Sequence, residues 1–374
     1  MLIGIDGRLA NEARRAGVGN YATGVLDALG RLDNDLRLRV YLDAEPREGF
    51  PLPPDTAEFV VLPKTRFWTH RALAPALRQT PPDVFYEPVM QRPYGCPCPA
   101  VATVHDLAFF PFGAYFPLRR RWVLRWQARY VSRRAAHLVA VSGATRQDME
   151  LRLRVPSQRI TVAYEGFHAV FGERQTEEAI AAARARYGLP ERYVLYVGRL
   201  QPRKNLIRLV EAFETICSRR AELPQHLVLA GSPGWMTRPL FQHIGDSPVR
   251  DRIQVTGFVE EADLPALIQG ADVLSLVSLW EGFGLPALEA MAGGTAVLAA
   301  NCSSLPEVVG EGGVLVDPMD TQAIADALER LLADGAYRER IAAKGPRQAA
   351  RFSWDATAHL VVRALHEAIR QGTP

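Results

Sequence analysis

The chain has 374 residues, of which 48% are hydrophobic, 23% charged and 9% aromatic. These proportions exclude a disordered or fibrous chain, and the length favours two α/β domains over one. No apolar run reaches the roughly 18 residues that a membrane-spanning helix needs. The N-terminus reads as a buried strand rather than a signal peptide, so we expect a cytoplasmic protein.

Short β-branched or aliphatic runs alternate with longer helical stretches, which predicts parallel sheets covered by helices. In the first half the predicted strands are Leu2–Asp6, Leu38–Leu42, Phe59–Leu62, Val84–Tyr86, Val101–Val104, Leu138–Val141 and Ile160–Ala163. In the second half they are Tyr193–Val197, Leu227–Ala230, Ile253–Val255, Val273–Val277, Ala296–Ala299 and Gly313–Val316. Each set is enough for one doubly wound, Rossmann-like sheet.

We therefore predict an N-terminal domain over residues 1–170 and a second domain over 171–351. The last segment, 352–374, shows helical periodicity after Ser353, a suitable N-cap, and is expected to pack back on the first domain. Two such domains would face each other across a cleft. Ligands of these sheets bind outside the carboxyl ends of the strands, so the segments that follow the strands contain the functional candidates.

A basic loop follows the first strand of the second domain. Arg199 and Lys204 flank the expected start of a helix at Leu206, where free N–H groups and the helix dipole favour an anion. A diphosphate fits this position, because arginine offers a bidentate fork and lysine a compact charge. An ordinary solvated basic loop is the alternative.

Two carboxylates lie seven residues apart after the strand Val273–Val277. Glu281 is on a glycine-containing loop and Glu289 is about one turn inside the following helix. A carboxylate is well suited to accept hydrogen bonds from the vicinal hydroxyls of a ribose or hexose. Gly282 and Gly284 allow the backbone to approach a ligand closely. The alternative is that both acids only begin a helix.

The segment Glu281-Gly-Phe-Gly-Leu-Pro-Ala-Leu-Glu289 resembles the E-x7-E motif of retaining family-4 glycosyltransferases. The basic loop Gly198–Asn205 resembles the diphosphate-binding loop of that family, and Val255–Val259 resembles its base-binding turn. The resemblance covers the whole chain and is more specific in the second domain. It implies the glycosyltransferase B fold, with two Rossmann-like domains.

The resemblance also implies roles for individual residues. Arg199 and Lys204 would hold the diphosphate of a nucleotide-sugar donor, Glu289 the ribose and Glu281 the transferred sugar. The remaining expected donor contacts are Phe258, Val259, Gly282, Phe283, Gly284 and Leu285.

Three weaker matches lie in the first domain. Gly17 and Gly19, placed after the first strand and before a helix, resemble the loop that closes over the donor phosphates. His105, at the end of a strand, resembles the active-site histidine, although a structural histidine is the alternative. Ser142 is most simply a helix cap.

The family resemblance implies same-face substitution, in which the leaving phosphate helps to deprotonate the acceptor hydroxyl. Arg199, Lys204, Glu281 and His105 are the expected catalytic residues. No metal or cofactor is expected. Asp33-Asn34-Asp35 matches the Asp-x-Asp motif of metal-dependent glycosyltransferases, but it lies in a predicted turn. The cysteines lack the paired Cys-x-x-Cys spacing of a zinc or redox site.

The segment Arg119–Arg134 combines arginines and tryptophans at helical spacing, which is typical of helices that lie on a membrane surface. Residues 1–170 also hold 23 Lys and Arg against 16 Asp and Glu, within a net charge of +3. Peripheral docking on an anionic inner membrane face is therefore one interpretation, and packing of the aromatic face into the domain is the other. No nucleic-acid module accompanies this charge, so no nucleic acid is expected as a partner.

The sequence thus predicts transfer of a hexose from a nucleotide diphosphate to a saccharide or lipid-linked saccharide. The residues from His105 to Phe110 are similar to bacterial mannosyltransferases of polysaccharide assembly, which favours GDP-mannose. A nucleotide-sugar epimerase or hydrolase on the same fold, and a non-catalytic nucleotide-sugar-binding protein, remain as alternatives.

Overall fold

The computed structural model describes residues 1–15, 17–32, 36–53 and 55–372, and the chain forms two compact units. The first unit comprises Met1–Phe110, Leu118–Gly166 and the residues from Phe352 onward. The second comprises Pro111–Pro117 and Phe167–Arg351. The segment Pro111–Pro117 groups with the second unit because its aromatic rings contact two tryptophans there.

The first unit is built on a seven-stranded parallel sheet with the order β3-β2-β1-β4-β5-β6-β7. Its strands are β1 Leu2–Asp6, β2 Arg37–Leu42, β3 Ala57–Val61, β4 Val84–Glu87, β5 Ala100–Val104, β6 His137–Ala140 and β7 Ile160–Val162. The helices that belong with this sheet are α1 Gly17–Arg31, α2 Ala74–Gln79, α3 Leu118–Arg134 and α4 Gly143–Leu153. The doubly wound order confirms the first predicted sheet.

The second unit contains a six-stranded parallel sheet with the order β10-β9-β8-β11-β12-β13. Its strands are β8 Tyr193–Val197, β9 His226–Ala230, β10 Ile253–Gly257, β11 Val273–Leu276, β12 Ala296–Ala300 and β13 Val314–Val316. The helices are α5 Glu177–Tyr187, α6 Leu206–Arg219, α7 Arg238–Asp246, α8 Leu264–Gln269, α9 Leu285–Ala292, α10 Leu305–Val309, α11 Thr321–Ala333, α12 Gly335–Ala342 and α13 Gly345–Ala349.

The central strands are almost continuous runs of apolar residues because helices cover both faces of each sheet. Every residue of β5, β11 and β12 is buried, as expected for parallel strands without a solvated face. Several helices begin at a side-chain cap, and the cap predicted at Ser142 is confirmed, since its Oγ accepts a hydrogen bond from the Thr145 N–H at 3.0 Å.

The last helix, α14 Trp354–Gln371, returns to the first unit and packs against α1 and strands β4 to β7. Its N-cap is Ser353, as predicted. The Trp354 ring lies edge-on to the Tyr21 ring with centroids 5.8 Å apart. A Cβ at Gly24 would lie 2.2 Å from the Trp354 ring, so only glycine lets the two helices approach this closely.

In the described part of the chain, no helix combines the length and the apolar composition that crossing a membrane requires.

Candidate functional site

The predicted donor residues of the second unit lie on two loops that the sheet brings together. One loop connects β8 to α6 and the other connects β11 to α9. Because β8 and β11 are neighbouring parallel strands, their carboxyl ends are side by side. The loops are joined directly, since the Leu279 N–H donates to the carbonyl oxygen of Arg203 at 2.9 Å.

An ion pair centred on a buried carboxylate joins the two loops. Lys204 Nζ donates to Glu281 Oε1 at 2.5 Å, and Ser278 Oγ donates to the same oxygen at 2.6 Å. Arg203 Nη1 donates to the Trp280 carbonyl oxygen at 2.7 Å and lies 3.5 Å from Glu281 Oε2. Both oxygens of the Glu281 carboxylate therefore face a cation.

The charge state of Glu281 follows from these contacts. Burial favours the neutral form of the carboxyl. The charges of Lys204 and Arg203, together with hydrogen bonds from Lys204 and Ser278, outweigh burial and lower the pKa of Glu281 below its ordinary value. Glu281 is thus held ionised in a buried position, where its charge is weakly screened.

The backbone of the two loops is held in one conformation. Asn205 has a positive φ of 61° and ends the basic loop, and its Nδ2 donates to the carbonyl oxygens of Val277 at 3.1 Å and Pro318 at 2.7 Å. Ser304 Oγ donates to the carbonyl oxygen of Phe283 at 2.7 Å and lies 3.1 Å from that of Glu281. The side chains on these loops are therefore positioned before any ligand binds.

Two glycines of the second unit adopt backbone conformations that other residues rarely adopt. Gly284 has a φ of 110° and precedes α9, and a Cβ there would lie 2.7 Å from Leu305 Cδ2. Gly231, after β9, has a φ of 154°, and a Cβ there would lie 2.0 Å from the Gly198 carbonyl oxygen. Both conformations are strained for other residues, so these close backbone approaches depend on glycine.

The remaining predicted donor residues of the second unit differ in exposure. The Arg199 side chain is exposed, whereas Glu289 is buried in the second turn of α9. Phe258 and Val259 follow β10, where Val259 is buried. The Phe283 side chain is also buried.

His105 follows β5 in the first unit and is held on both sides of its ring. Its Nε2 lies 2.8 Å from the carbonyl oxygen of Pro88, which can only accept, so this nitrogen carries a proton. Its Nδ1 lies 3.5 Å from Oε1 of the buried Glu165, and the Tyr21 ring meets it edge-on at 4.7 Å. With both ring nitrogens engaged, His105 is oriented rigidly at the end of its strand.

The glycine segment of the first unit differs from its prediction. Gly17 and Gly19 form the first turn of α1, rather than a loop that precedes the helix. Neither has a positive φ, and a Cβ at Gly17 would meet no atom within 4 Å. The free N–H groups of the first turn of α1 therefore lie at these glycines.

Within the described ranges, no three His, Cys, Asp or Glu side chains come together in a metal-binding arrangement. The segment Asp33-Asn34-Asp35 lies outside the described residues.

Comparisons with known proteins agree with this geometry. The model described as "Glycosyl transferases group 1" matches residues 180–348, and the model "Glycosyltransferase Family 4" matches residues 15–169. The chain is 32% identical over 286 residues to an O-antigen chain mannosyltransferase B of Escherichia coli, which covers 76% of this chain and 74% of that protein. The chain belongs to the family-4 glycosyltransferases.

Two further similarities extend the comparison. A serotype-specific mannosyltransferase WbdA of Escherichia coli is 32% identical over 62% of this chain, but the match spans only 29% of that longer protein. The crystal structure of HepE from Anabaena with UDP and glucose has a TM-score of 0.74 and 20% identity, and covers 98% of this chain and 99% of that one. The family-4 glycosyltransferase therefore has the glycosyltransferase B fold, as predicted.

Family membership decides between the functional classes that the sequence left open. The relatives are named as transferases, and both halves of the chain match glycosyltransferase models. This family-4 glycosyltransferase is a hexosyltransferase that uses a nucleotide-sugar donor and a saccharide acceptor. An epimerase, a hydrolase or a non-catalytic binding protein is not favoured by these matches.

Sequence reasoning missed three residues that contact predicted site residues within their own unit of this glycosyltransferase. Arg203 and Ser278 contact Glu281, and Glu165 faces His105. Arg203 lies inside the basic loop Gly198–Asn205, so its position and charge in the sequence indicate a role at the site. Nothing in the sequence links Glu165 to His105, because the two residues follow different strands.

Proposed function

We propose that the enzyme is a retaining mannosyltransferase that transfers mannose from GDP-mannose to a saccharide or lipid-linked saccharide. The similarity to two mannosyltransferases of Escherichia coli supports mannose as the transferred sugar. The E-x7-E spacing of Glu281 and Glu289 supports retention, because it resembles the motif of retaining family-4 enzymes.

The ion pair of Lys204 with the buried Glu281 is the observation that carries this proposal. Arg199, Arg203 and Lys204 lie on one loop, and both Arg203 and Lys204 contact the Glu281 carboxylate. Three cationic side chains on one loop suit the anionic diphosphate of a nucleotide sugar. The N-terminus of α6 follows the same loop and adds its dipole to this field.

In the proposed reaction, the acceptor hydroxyl oxygen bonds to the anomeric carbon from the face that the diphosphate leaves. The bond between the anomeric carbon and the phosphate oxygen breaks, and the hydroxyl proton passes to that departing oxygen. Arg199 and Lys204 stabilise the charge that develops on the diphosphate. Glu281 orients the transferred sugar and Lys204, while Glu289 accepts hydrogen bonds from the ribose hydroxyls.

A thermal-shift screen against GDP-, UDP-, dTDP- and ADP-sugars tests the donor. GDP-mannose should stabilise the protein most, and Glu289→Ala should weaken its binding because each lost charged hydrogen bond costs about 1.5–3 kcal/mol. Glu222→Ala, an exposed acid of the same unit, is the matched control. A preference for another nucleotide sugar would reject GDP-mannose, and a β-configured mannoside, detected by NMR of the product, would reject retention.

We also propose that transfer needs no metal ion, because the cations of the basic loop and the start of α6 supply the positive charge. Activity should survive EDTA treatment followed by removal of the chelated metal. Complete loss of activity that Mn²⁺ restores would contradict this mechanism.

A second proposal concerns localisation at a membrane surface. Trp122 is 68% exposed and Val123 61% exposed on α3, so the structure does not bury this part of the aromatic face. Arg119 and Arg120 are exposed beside them. Apolar and basic side chains on one exposed helix suit docking on anionic lipid.

Co-sedimentation with phosphatidylglycerol-containing vesicles tests this localisation. Replacing Trp122 and Val123 by serine should release the protein from the vesicles, whereas Leu151→Ser should not, although Leu151 is 70% exposed on α4 of the same unit. Equal retention of both variants would show that α3 does not form the membrane contact.

A further inference from the structure

A cavity of about 730 Å³ lies in the first unit, and the residues predicted for the donor site do not line it. Its walls come from the segments that follow strands β1, β2, β3 and β4 and from one side of α3. It therefore occupies the edge of the sheet at which parallel α/β sheets bind ligands.

The charged side chains of this cavity are mostly cationic. Arg8, Lys64, Arg71 and Arg92 line it, against the single carboxylate of Asp43. The charge of Arg8 is offset by Asp6, at 2.7 Å. Lys64 and Arg71 are exposed at the cavity, so they remain available to an anion.

Arg92 is the buried cation of the cavity. Its side chain is only 5% exposed, and its Nη1 atom has no hydrogen-bond partner among the described residues. The Nε1 atom of Trp68, which also lines the cavity, is buried and likewise lacks a partner within the described part of the chain. Two buried donors without an acceptor carry a desolvation cost that an acceptor-rich ligand would offset.

The carboxyl of Glu87, at the end of β4, does not satisfy Arg92. Both of its oxygens are buried without a hydrogen-bond partner in the described ranges. Burial raises the pKa of Glu87 well above its ordinary value, although the charge of Arg92 opposes this shift. A carboxyl that is held towards its neutral form leaves the positive charge of Arg92 largely uncompensated.

Aromatic rings form the mouth of the cavity. Phe67 is 60% exposed and Trp126 is 53% exposed, and Trp126 stacks on Tyr130 with an interplanar angle of 7°. Phe67 also has a φ of 63°, a conformation that is rare for bulky residues and that typically persists at ligand-binding segments. Exposed flat rings bind the apolar C–H face of a pyranose, so a sugar ring fits beside the cationic interior.

We propose that this cavity is the acceptor site and that it selects a saccharide carrying a phosphate or diphosphate group. The phosphate contacts Arg92, Lys64 and Arg71, while the sugar ring lies on Phe67 and Trp126. This inference rests on the proposed transfer to a saccharide. A free sugar phosphate and a lipid diphosphate-linked sugar share this chemistry, and the two are separated by experiment.

Calorimetric titration of the full chain tests the site, with mannose 1-phosphate and a short-chain polyprenyl diphosphate-linked mannose as the two probes. At least one probe should bind, and neutral mannose should bind at least about tenfold more weakly, because it lacks the charged hydrogen bonds. The probe that binds more tightly identifies the source of the phosphate. Binding of neither probe, or equal binding of mannose, overturns the proposal.

Variants assign the binding to the cavity. Arg92→Gln should weaken binding of the preferred probe at least about tenfold, and Arg92→Lys should restore part of it. Because Arg92 is buried and its replacement could unfold the unit, the exposed pair Lys64→Gln and Arg71→Gln provides an independent test. Arg37→Gln, an exposed arginine at the opposite edge of the sheet, should have no effect.

Binding of the nucleotide donor distinguishes failure of the proposed donor from failure of the cavity assignment. GDP binding should be unchanged in every cavity variant, because the donor residues lie on other loops. If the phosphorylated probe binds through the cavity while no nucleotide sugar binds, the proposed donor fails and the cavity assignment stands. Cavity variants that bind the probe like the original chain overturn the cavity assignment, whatever the donor.

Discussion

Glu281 shows how much of a site depends on contacts between residues far apart in the chain. It is a buried carboxylate held ionised by Lys204 and Arg203, which precede it by more than 70 residues. Spacing within the sequence predicted both the acid and the lysine, because each follows a recognisable strand. Their direct contact could not be predicted, since it depends on β8 and β11 being neighbours in the sheet.

Comparison of the original chain with Glu281→Gln tests this arrangement through pH. At neutral pH the variant should be less stable by about 1–3 kcal/mol, because two half-buried cations lose their contacts with a buried carboxylate. The pKa of Glu281 is lowered in the folded state, so its stabilising effect is present above the unfolded value and is lost as pH falls through the folded value. The stability difference between the two proteins should therefore shrink in acid.

Urea unfolding of both proteins between about pH 7 and about pH 3 measures this difference. Ser247→Ala, a buried hydroxyl of the same unit away from the ion pair, controls for general acid sensitivity. A stability difference that stays constant over this range would mean that folding does not lower the pKa of Glu281, which would contradict the ion pair.

The elements of the fold were largely predictable, whereas their local ends were not. The alternation of apolar strands with amphipathic helices predicted both sheets. The residue type at Ser142 and Ser353 predicted the two helix N-caps. The start of α1 at Gly17 was missed because glycine is typical of turns. The grouping of Pro111–Pro117 with the second unit was also beyond the sequence, since it depends on Trp235 and Trp280.

Two glycine substitutions distinguish the roles of glycine at helix starts. Gly284→Ala should destabilise the protein by about 1–3 kcal/mol, because its φ of 110° is strained for alanine and the new Cβ would meet Leu305. Gly17→Ala should keep or raise stability by about 0.4–1 kcal/mol, since its surroundings are open and its conformation is helical.

Thermal unfolding of the two glycine variants measures their stability, and nucleotide-sugar titration measures their donor affinity. Loss of donor affinity in Gly17→Ala without loss of stability would support the predicted donor contact. Equal melting temperatures for Gly284→Ala and the original chain would contradict the strain at α9.

At the scale of the whole molecule, the chain is not divided in sequence order. The first unit takes its last helix, α14, from the end of the described chain, after the second unit is complete. The two sheets were predicted from the sequence, and so was the return of this helix. The exact fit of Trp354 against Gly24 and Gly166 was not, because it depends on three distant segments.

Trp354→Ala tests how much the first unit depends on this helix. Removing a large buried ring typically costs about 3–5 kcal/mol, so hydrogen exchange should rise across α1 and α14. Exchange in α6 and α9 of the second unit should stay unchanged. Arg363→Ala, an exposed position on α14, is the matched control.

Hydrogen–deuterium exchange read by mass spectrometry resolves these helices separately. Protection that is lost to the same extent in both units would contradict an independent second unit. Unchanged protection in α1 would show that the first unit is stable without the Trp354 ring.

The position of α14 has a consequence for the order of events on the ribosome. Domains usually fold as they emerge, the N-terminal one first. Here α14 packs on β4 to β7, but it is synthesised more than 180 residues after the last strand of the first sheet. The whole second sheet is synthesised in between. We therefore expect the second unit to acquire its stable structure first. Until α14 is synthesised, the first sheet should expose an apolar face that chaperones can bind.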